Sequence, residues 1–229
     1  METYCFDAGH GGSDPGAVGP KKTKEADINL DLVMRTARLI VAQGHTVIYT
    51  RSTDKFINLT DRADKANKLK TNFFISFHQN AVGNPNTNGT EVFCYSRGGA
   101  GERLAKAIQI ELVAALRLHD RGVKTANFAV IKRTTMPAAL IEVSFLSNPD
   151  QETKLNDAAY KDKIAMAIAR GIIKGSGQTW KEPKKPIAII AKDKPLYTVQ
   201  AGAFKSKTGA DETMAKLKKA GIDGFIKTT

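Results

Sequence analysis

The chain is poor in cysteine, has no long apolar run and is short of acidic residues. Its two cysteines, Cys5 and Cys94, each sit in a stretch that reads as a strand. Neither has a Cys or His at finger-like spacing, which argues against a metal role, and both read as small buried hydrophobes. No stretch approaches 18 consecutive apolar residues, which excludes a membrane-spanning helix. No secretory signal is expected, because Met1-Glu2-Thr3 leads directly into an apolar strand without a basic region or cleavage site. The sequence therefore predicts a protein made in the cytoplasm, a setting that disfavours a disulfide. Asp and Glu total 23 against 35 Lys and Arg, a net charge of +12. That excess favours a polyanionic partner, and nucleic acid or an anionic cell wall would each fit. The lysines are scattered along helix faces without a consecutive basic block, so most read as a solvated face.

What is present suits one full domain with a small appendage: 229 residues, 41% of them hydrophobic. Apolar runs alternate with helical periodicity through residue 175. Strands are expected over 3–8, 45–50, 73–77, 89–95, 128–131 and 138–143, the last two separated by a turn at Met136-Pro137. Helices are expected over 25–43, 59–69 and 101–118, then from Pro149 and over 160–174. Gly44 marks the end of the first helix. Such alternation predicts an α/β fold, a mostly parallel twisted sheet with helices on both faces. Ligands in these sheets gather at the carboxyl ends of strands.

Residues 1–175 form the expected catalytic unit and 176–195 a linker, semi-extended because it holds Pro183, Pro186 and Pro195. Within that linker, 187–191 reads as a short strand. Residues 196–229 read as a separate βαβ unit, with strands over 197–204 and 222–227 around a helix over 209–220. About 34 residues rarely fold without a partner. Residues 181–229 carry 11 lysines against 5 acids, half of the whole positive excess.

Four polar residues stand where expected strands give way to loops or helices. His10 lies on the glycine-lined turn Asp7-Ala8-Gly9-His10-Gly11-Gly12, directly after a strand. Glu25 opens the first helix, where a carboxylate also suits the helix dipole. His78 ends the apolar run Phe73-Phe74-Ile75-Ser76-Phe77. Glu142 interrupts Ala138-Ala139-Leu140-Ile141 and Val143. A carboxylate inside a buried strand costs several kcal/mol unless paired or placed at a metal. The alternative for Glu142 is an edge position or a pair with Arg62 or Arg133. Two imidazoles with a carboxylate can hold zinc with one position open, and a second carboxylate can then accept a proton from water. The constellation points to metal-assisted hydrolysis.

The segments Asp7-Ala8-Gly9-His10-Gly11-Gly12 with Asp14 and Gly16, Glu25, Ser76-Phe77-His78-Gln79-Asn80-Ala81, and the stretch from Met136 to Asn148 resemble zinc-dependent N-acetylmuramoyl-L-alanine amidases of the amidase-3 type. The likeness runs over about residues 2–175 with the landmarks in order. Relatives more often have Asp-Pro-Gly-His where this chain has Asp7-Ala8-Gly9-His10, and an aliphatic residue at the position of Phe77. The resemblance implies that His10, Glu25 and His78 bind Zn²⁺ and that Glu142 is the catalytic carboxylate. Asn80 is the candidate substrate-binding residue, and Arg62 and Asn67 match the family pattern as scaffold around the site. The implied reaction is hydrolysis of peptidoglycan at the amide joining N-acetylmuramic acid to the L-alanine of the stem peptide.

The C-terminal segment, through Tyr197-Thr198-Val199-Gln200-Ala201-Gly202-Ala203-Phe204 and its helix, resembles half of a peptidoglycan-binding SPOR module. The missing half suggests that two chains pool their segments in a homodimer. Peptidoglycan is thus the expected partner, with no nucleic acid and no membrane insertion. An amidase without an export signal resembles a phage endolysin or a mother-cell lytic enzyme of sporulation, acting on the wall after release. The competing readings are a zinc peptidase acting on stem peptides and a non-catalytic wall-binding protein.

Overall fold

A computed structural model describes residues 1–182, together with 208, 209, 211, 212 and 215, which are helical. The rest of the expected linker and both strands of the C-terminal βαβ unit lie outside the described residues. The chain divides into two compact units, Met1–Ile189 and Ile190–Thr229.

In chain order the elements are β1 (Thr3–Ala8), α1 (Glu25–Ala42), β2 (Thr46–Tyr49), α2 (Leu59–Lys68), β3 (Phe73–Asn80), β4 (Thr90–Cys94), α3 (Ala100–Leu116), β5 (Asp120–Thr125), α4 (Ala129–Lys132), β6 (Ala138–Phe145), α5 (Pro149–Asn156) and α6 (Ala158–Gly175). The strands form one sheet in the order β2-β1-β3-β6-β4-β5. All neighbours are parallel except β4 and β6.

Period-two alternation sends strand side chains to two faces. Tyr4, Phe6, Ile75, Phe77, Ala139, Ile141 and Val143 belong to the larger core, shared with α1, α3 and α6. Full burial of one such Phe contributes on the order of 2–3 kcal/mol. Cys5, Phe74, Ala138 and Leu140 form a smaller core on the other face with Ala66 of α2 and with Val130 and Ile131 of α4. Both cysteines are free and buried. Burial, helped by Asp7, pushes the Cys5 thiol up to about 12, so it stays a protonated core filler at neutral pH.

Two elements differ from expectation. Residues 128–131 are not a strand: Phe128 is the N-cap of the short helix α4. A four-residue apolar run does not distinguish a strand from one buried helical turn. The place beside β4 belongs instead to β5, an edge strand carrying Asp120, Arg121 and Lys124. Its charges hide the strand from a hydrophobicity reading, and charges of this kind also discourage edge-to-edge pairing.

Past α6 the chain stays against its own unit as far as residue 182. The Ser176 hydroxyl lies 2.8 Å from the Tyr4 hydroxyl. Trp180 packs on the larger core. The backbone of Lys181 exchanges two hydrogen bonds with the Gln43 amide, at 2.8 and 2.9 Å.

Helices α1 and α6 are joined by a charge cluster. Asp31 accepts from Arg35 at 2.8 Å and from Lys161 at 2.6 Å, and the Lys161 side chain is only 3% exposed. Burial opposes ionisation of Asp31, but Lys161 and Arg35 outweigh it and lower its pKa below 3.8. Replacing Asp31 with Asn strips a buried ammonium of its counter-charge and is expected to cost about 3 kcal/mol at neutral pH. A carboxylate with a lowered folded-state pKa stabilises above its unfolded value and loses that contribution as pH falls through the folded one. Denaturant titrations of Asp31→Asn and wild type should therefore differ at pH 7 and converge as pH falls below about 3.8.

Candidate metal centre

The site begins with two buried guanidinium groups. Arg51 donates to the carbonyls of Ala8, Gly9 and Ala26 at 2.9, 3.0 and 2.8 Å. Arg62 donates to the carbonyls of Ala8 and His10 at 2.6 and 2.8 Å, and pairs with buried Asp7 at 2.8 Å. Asp7 also accepts from Thr50 and Ser76, each at 2.6 Å. Four donor side chains, Thr50, Arg51, Arg62 and Ser76, thus fasten the end of β1, and His10 is held there with a left-handed φ of 61°. A non-glycine residue in that region persists only where its surroundings impose it.

Glu25 enters from the other side, as the first residue of α1. Helix α1 has no side-chain cap. Instead the Glu25 and Ala26 amides donate to the Ala17 and Pro15 carbonyls at 2.9 and 3.1 Å, and the Glu25 carboxylate accepts from the Ala17 amide at 2.9 Å. It also accepts from the Gln79 amide and the Asn29 side chain, both at 3.1 Å. The carboxylate is thereby aimed between two imidazoles.

His10 Nε2 lies 3.2 Å from Glu25 Oε2, and His78 Nδ1 lies 2.9 Å from Glu25 Oε1. One ligand atom from each of the three residues falls within 4.8 Å of the others. The two rings stand nearly perpendicular, centroids 5.0 Å apart. Asp14 sits behind His10, its Oδ2 2.8 Å from Nδ1. A carboxylate on the outer ring nitrogen fixes the tautomer and leaves Nε2 facing inward, the usual support of a metal-bound histidine. Space is kept by missing side chains: a Cβ on Gly9 would collide with the His78 ring, and one on Gly16 would stand 2.6 Å from both Glu25 Oε2 and the His10 ring.

The electrostatics favour a cation. Burial pushes the Glu25 carboxyl up, but the hydrogen bonds and charges of His10 and His78 outweigh it and hold the group far below the usual carboxylate range. Burial lowers His10 in turn, and Glu25 and Asp14 more than reverse this. The donor set of two imidazoles and a carboxylate fits Zn²⁺, with room for a further ligand.

Glu142 stands beside this group, opposite His78 on β3 and opposite Glu91 on β4 in the strand register. It pairs with neither Arg62 nor Arg133. Its Oε2 is buried and has no hydrogen-bond partner among the described residues. Burial first, then the charges of Glu25 and Glu91, push its pKa well above the ordinary value. A carboxyl whose pKa is raised toward the working range is suited to taking up and giving back a proton.

An open cleft of about 720 Å³ adjoins the imidazoles, lined by His10, His78, Asp14 and Arg62 and walled by Phe56 and Leu59. Neither Glu25 nor Glu142 lines that cleft. Asn80 is engaged within the protein, donating to Glu91 at 2.6 Å and accepting from the Ala81 amide at 2.8 Å. Asn67 ties α2 to the backbone of Arg133 and Thr135, at 2.8 and 2.9 Å. Sequence reasoning passed over the orienting position of Asp14 and the carboxylate of Glu91. Glu91 carries the same signal as Glu142, an acid inside an apolar strand.

The family model described as N-acetylmuramoyl-L-alanine amidase matches residues 5–174, and that of the SPOR domain matches 158–228. The N-acetylmuramoyl-L-alanine amidase LytC of Bacillus subtilis (strain 168) is 40% identical over 174 residues, covering 75% of this chain and 35% of LytC. The sporulation-specific N-acetylmuramoyl-L-alanine amidase of the same organism is 33% identical over 228 residues, covering 99% of this chain and 84% of that protein. The chain thus spans about a third of the first relative and more than four-fifths of the second. Among solved structures, the catalytic domain of the amidase CwlV from Bacillus (Paenibacillus) polymyxa var. colistinus superposes with a TM-score of 0.73 at 38% identity, over 76% of this chain and 97% of that one. The chain belongs to the N-acetylmuramoyl-L-alanine amidase family and carries a C-terminal segment of the SPOR type.

Proposed function

We propose that this chain is a zinc-dependent hydrolase of peptidoglycan, cutting the amide between the lactyl carbonyl of N-acetylmuramic acid and the L-alanine of the stem peptide. His10, Glu25 and His78 would hold the metal and Glu142 would move the proton. The observation that carries this reading is the convergence of three ligand atoms within 4.8 Å of one another, with the unpartnered acid Glu142 in register with His78. Bound zinc supplies Lewis acidity, polarising the amide carbonyl and bringing the pKa of water from about 16 to about 7. Asp14 keeps the His10 ring turned inward, and the Arg51 and Arg62 guanidiniums keep its backbone in place. Glu142 accepts a proton from the attacking water as the carbonyl is attacked. It then delivers that proton to the leaving nitrogen of L-alanine, which departs as a neutral amine. A pKa above the usual carboxyl range suits both halves of this exchange.

The relative matched over 99% of this chain is sporulation-specific, which supports a role in wall lysis during sporulation. None of the helices among the described residues is long and apolar enough to cross a membrane. The SPOR-type segment would add wall affinity, and its lysines suit an anionic wall polymer. The SPOR match begins at residue 158, inside α6, which belongs to the larger unit. Two such segments would pool in a homodimer.

Glu142→Gln is expected to lower turnover on cell walls by at least about 10²-fold while zinc content stays at wild-type level. Near wild-type turnover in the purified variant would remove Glu142 from this role. His78→Ala is expected to lose the metal, read by elemental analysis of the purified protein. Wall digests should gain L-alanine amino termini with intact glycan strands, whereas a stem-peptide peptidase would expose other termini. Light scattering at micromolar concentration is expected to give a dimer for the full chain, and a strict monomer would end the pooling idea.

A further inference from the structure

A row of charged groups crosses the sheet on one face, beginning at the metal-site side. His78 on β3 is in register with Glu142 on β6, and Glu142 with Glu91 on β4. Glu91 then meets Arg121 and Lys124 of edge strand β5. Glu91 is buried, and its two oxygens serve three donors. Asn80 takes Oε1, while Arg121 Nε, at 3.1 Å, and Lys124 share Oε2. One carboxylate therefore faces two full positive charges.

The arginine is held in position. Its stem passes over Gly89, where a Cβ would stand 2.7 Å from Cγ and Cδ. Gly89 has a φ of 126°, which disfavours any other residue. The guanidinium lies 4.9 Å from the Phe145 ring centroid. Only Nε bonds to protein among the described residues, so both terminal amino groups remain as a planar pair of donors. The Arg121 and Lys124 side chains keep 31% and 42% of their exposure. A guanidinium fork beside a partly exposed ammonium can receive a carboxylate.

The spacing suggests which carboxylate. Strands lie about 4.8 Å apart, so β5 is roughly 10 Å from the Glu142 column. Two residues of extended peptide span about 7 Å, and a carboxyl group on the second reaches the cations. The cleft beside the imidazoles, which neither Glu142 nor Glu91 lines, mixes apolar and polar groups: Phe56, 54% exposed, and Leu59, 59% exposed, stand with Asn58, Thr60 and Asp61. A sugar face suits that cleft, and a charged peptide suits the β5 side.

We propose that Arg121 and Lys124 form a subsite for the free carboxylate of the second residue of the stem peptide, so that the glycan lies toward Phe56 and the peptide toward β5. This rests on the amidase reading above. The test uses the zinc-loaded full chain and two synthetic muramyl peptides, identical except that the second residue's α-carboxyl is free in one and amidated in the other. Wild type is expected to prefer the free acid by about tenfold in kcat/KM, chiefly through KM. Lys124→Gln should reduce that preference, and the double variant with Arg121→Gln should bring it close to one. Equal use of both peptides by wild type would overturn the subsite, as would an undiminished preference in folded Lys124→Gln. The wild-type comparison stands even where the double variant does not fold. Failure of wild type to cut either peptide would instead overturn the amidase reading on which the subsite depends.

Discussion

The site depends on the fastening of three successive carbonyls at the end of β1. Arg51 and Arg62 bond to Ala8, Gly9 and His10 from within the fold, and Asp7 supplies the counter-charge. Hydrogen bonds from charged donors are worth about 1.5–3 kcal/mol each, enough to hold a histidine in the left-handed region at a cost of 1–3 kcal/mol. Without that clamp His10 has no reason to face Glu25. The sheet brings His78 and Glu142 side by side through register alone, and the first turn of α1 brings Glu25. Only His10 needs a dedicated device, and two buried charges are committed to it.

The carboxylates of this region are sorted by their neighbours. Asp7 is neutralised by Arg62, Glu25 lies between two imidazoles, and Glu91 is crowded by two cations. Glu142 has no such company and is pushed toward its neutral form. Glu25 and Glu142, close together in the fold, are thus driven in opposite directions. A buried unpartnered oxygen lowers stability, and such costs are tolerated where they serve chemistry.

Much of this was readable beforehand. Glu142 and His78 announced themselves by interrupting apolar runs, and glycines flanked His10. Those are local signals, and the sheet turned them into neighbours because parallel strands end on the same side. The family landmarks gave the same residues. The short helix at Ala129–Lys132 was not readable, because one apolar turn of four residues carries no period. Strand β5 was hidden for the opposite reason: an edge strand half in water carries charges where a buried one carries Val and Ile. Of the clamp on His10, Arg62 was expected as scaffold through the family pattern, whereas Arg51, 41 residues further along the sequence, carried no signal of its own.

Strand β5 therefore has two duties. It closes the sheet with residues that repel a second sheet, and the same residues face the row that starts at the metal site. With the proposed subsite on β5, selection on substrate preference and selection against self-association would act on the same few codons. A lineage that traded these cations for apolar residues to suit a neutral wall would leave its sheet margin sticky, and would need a bulge, a proline or a covering loop to remain dispersed.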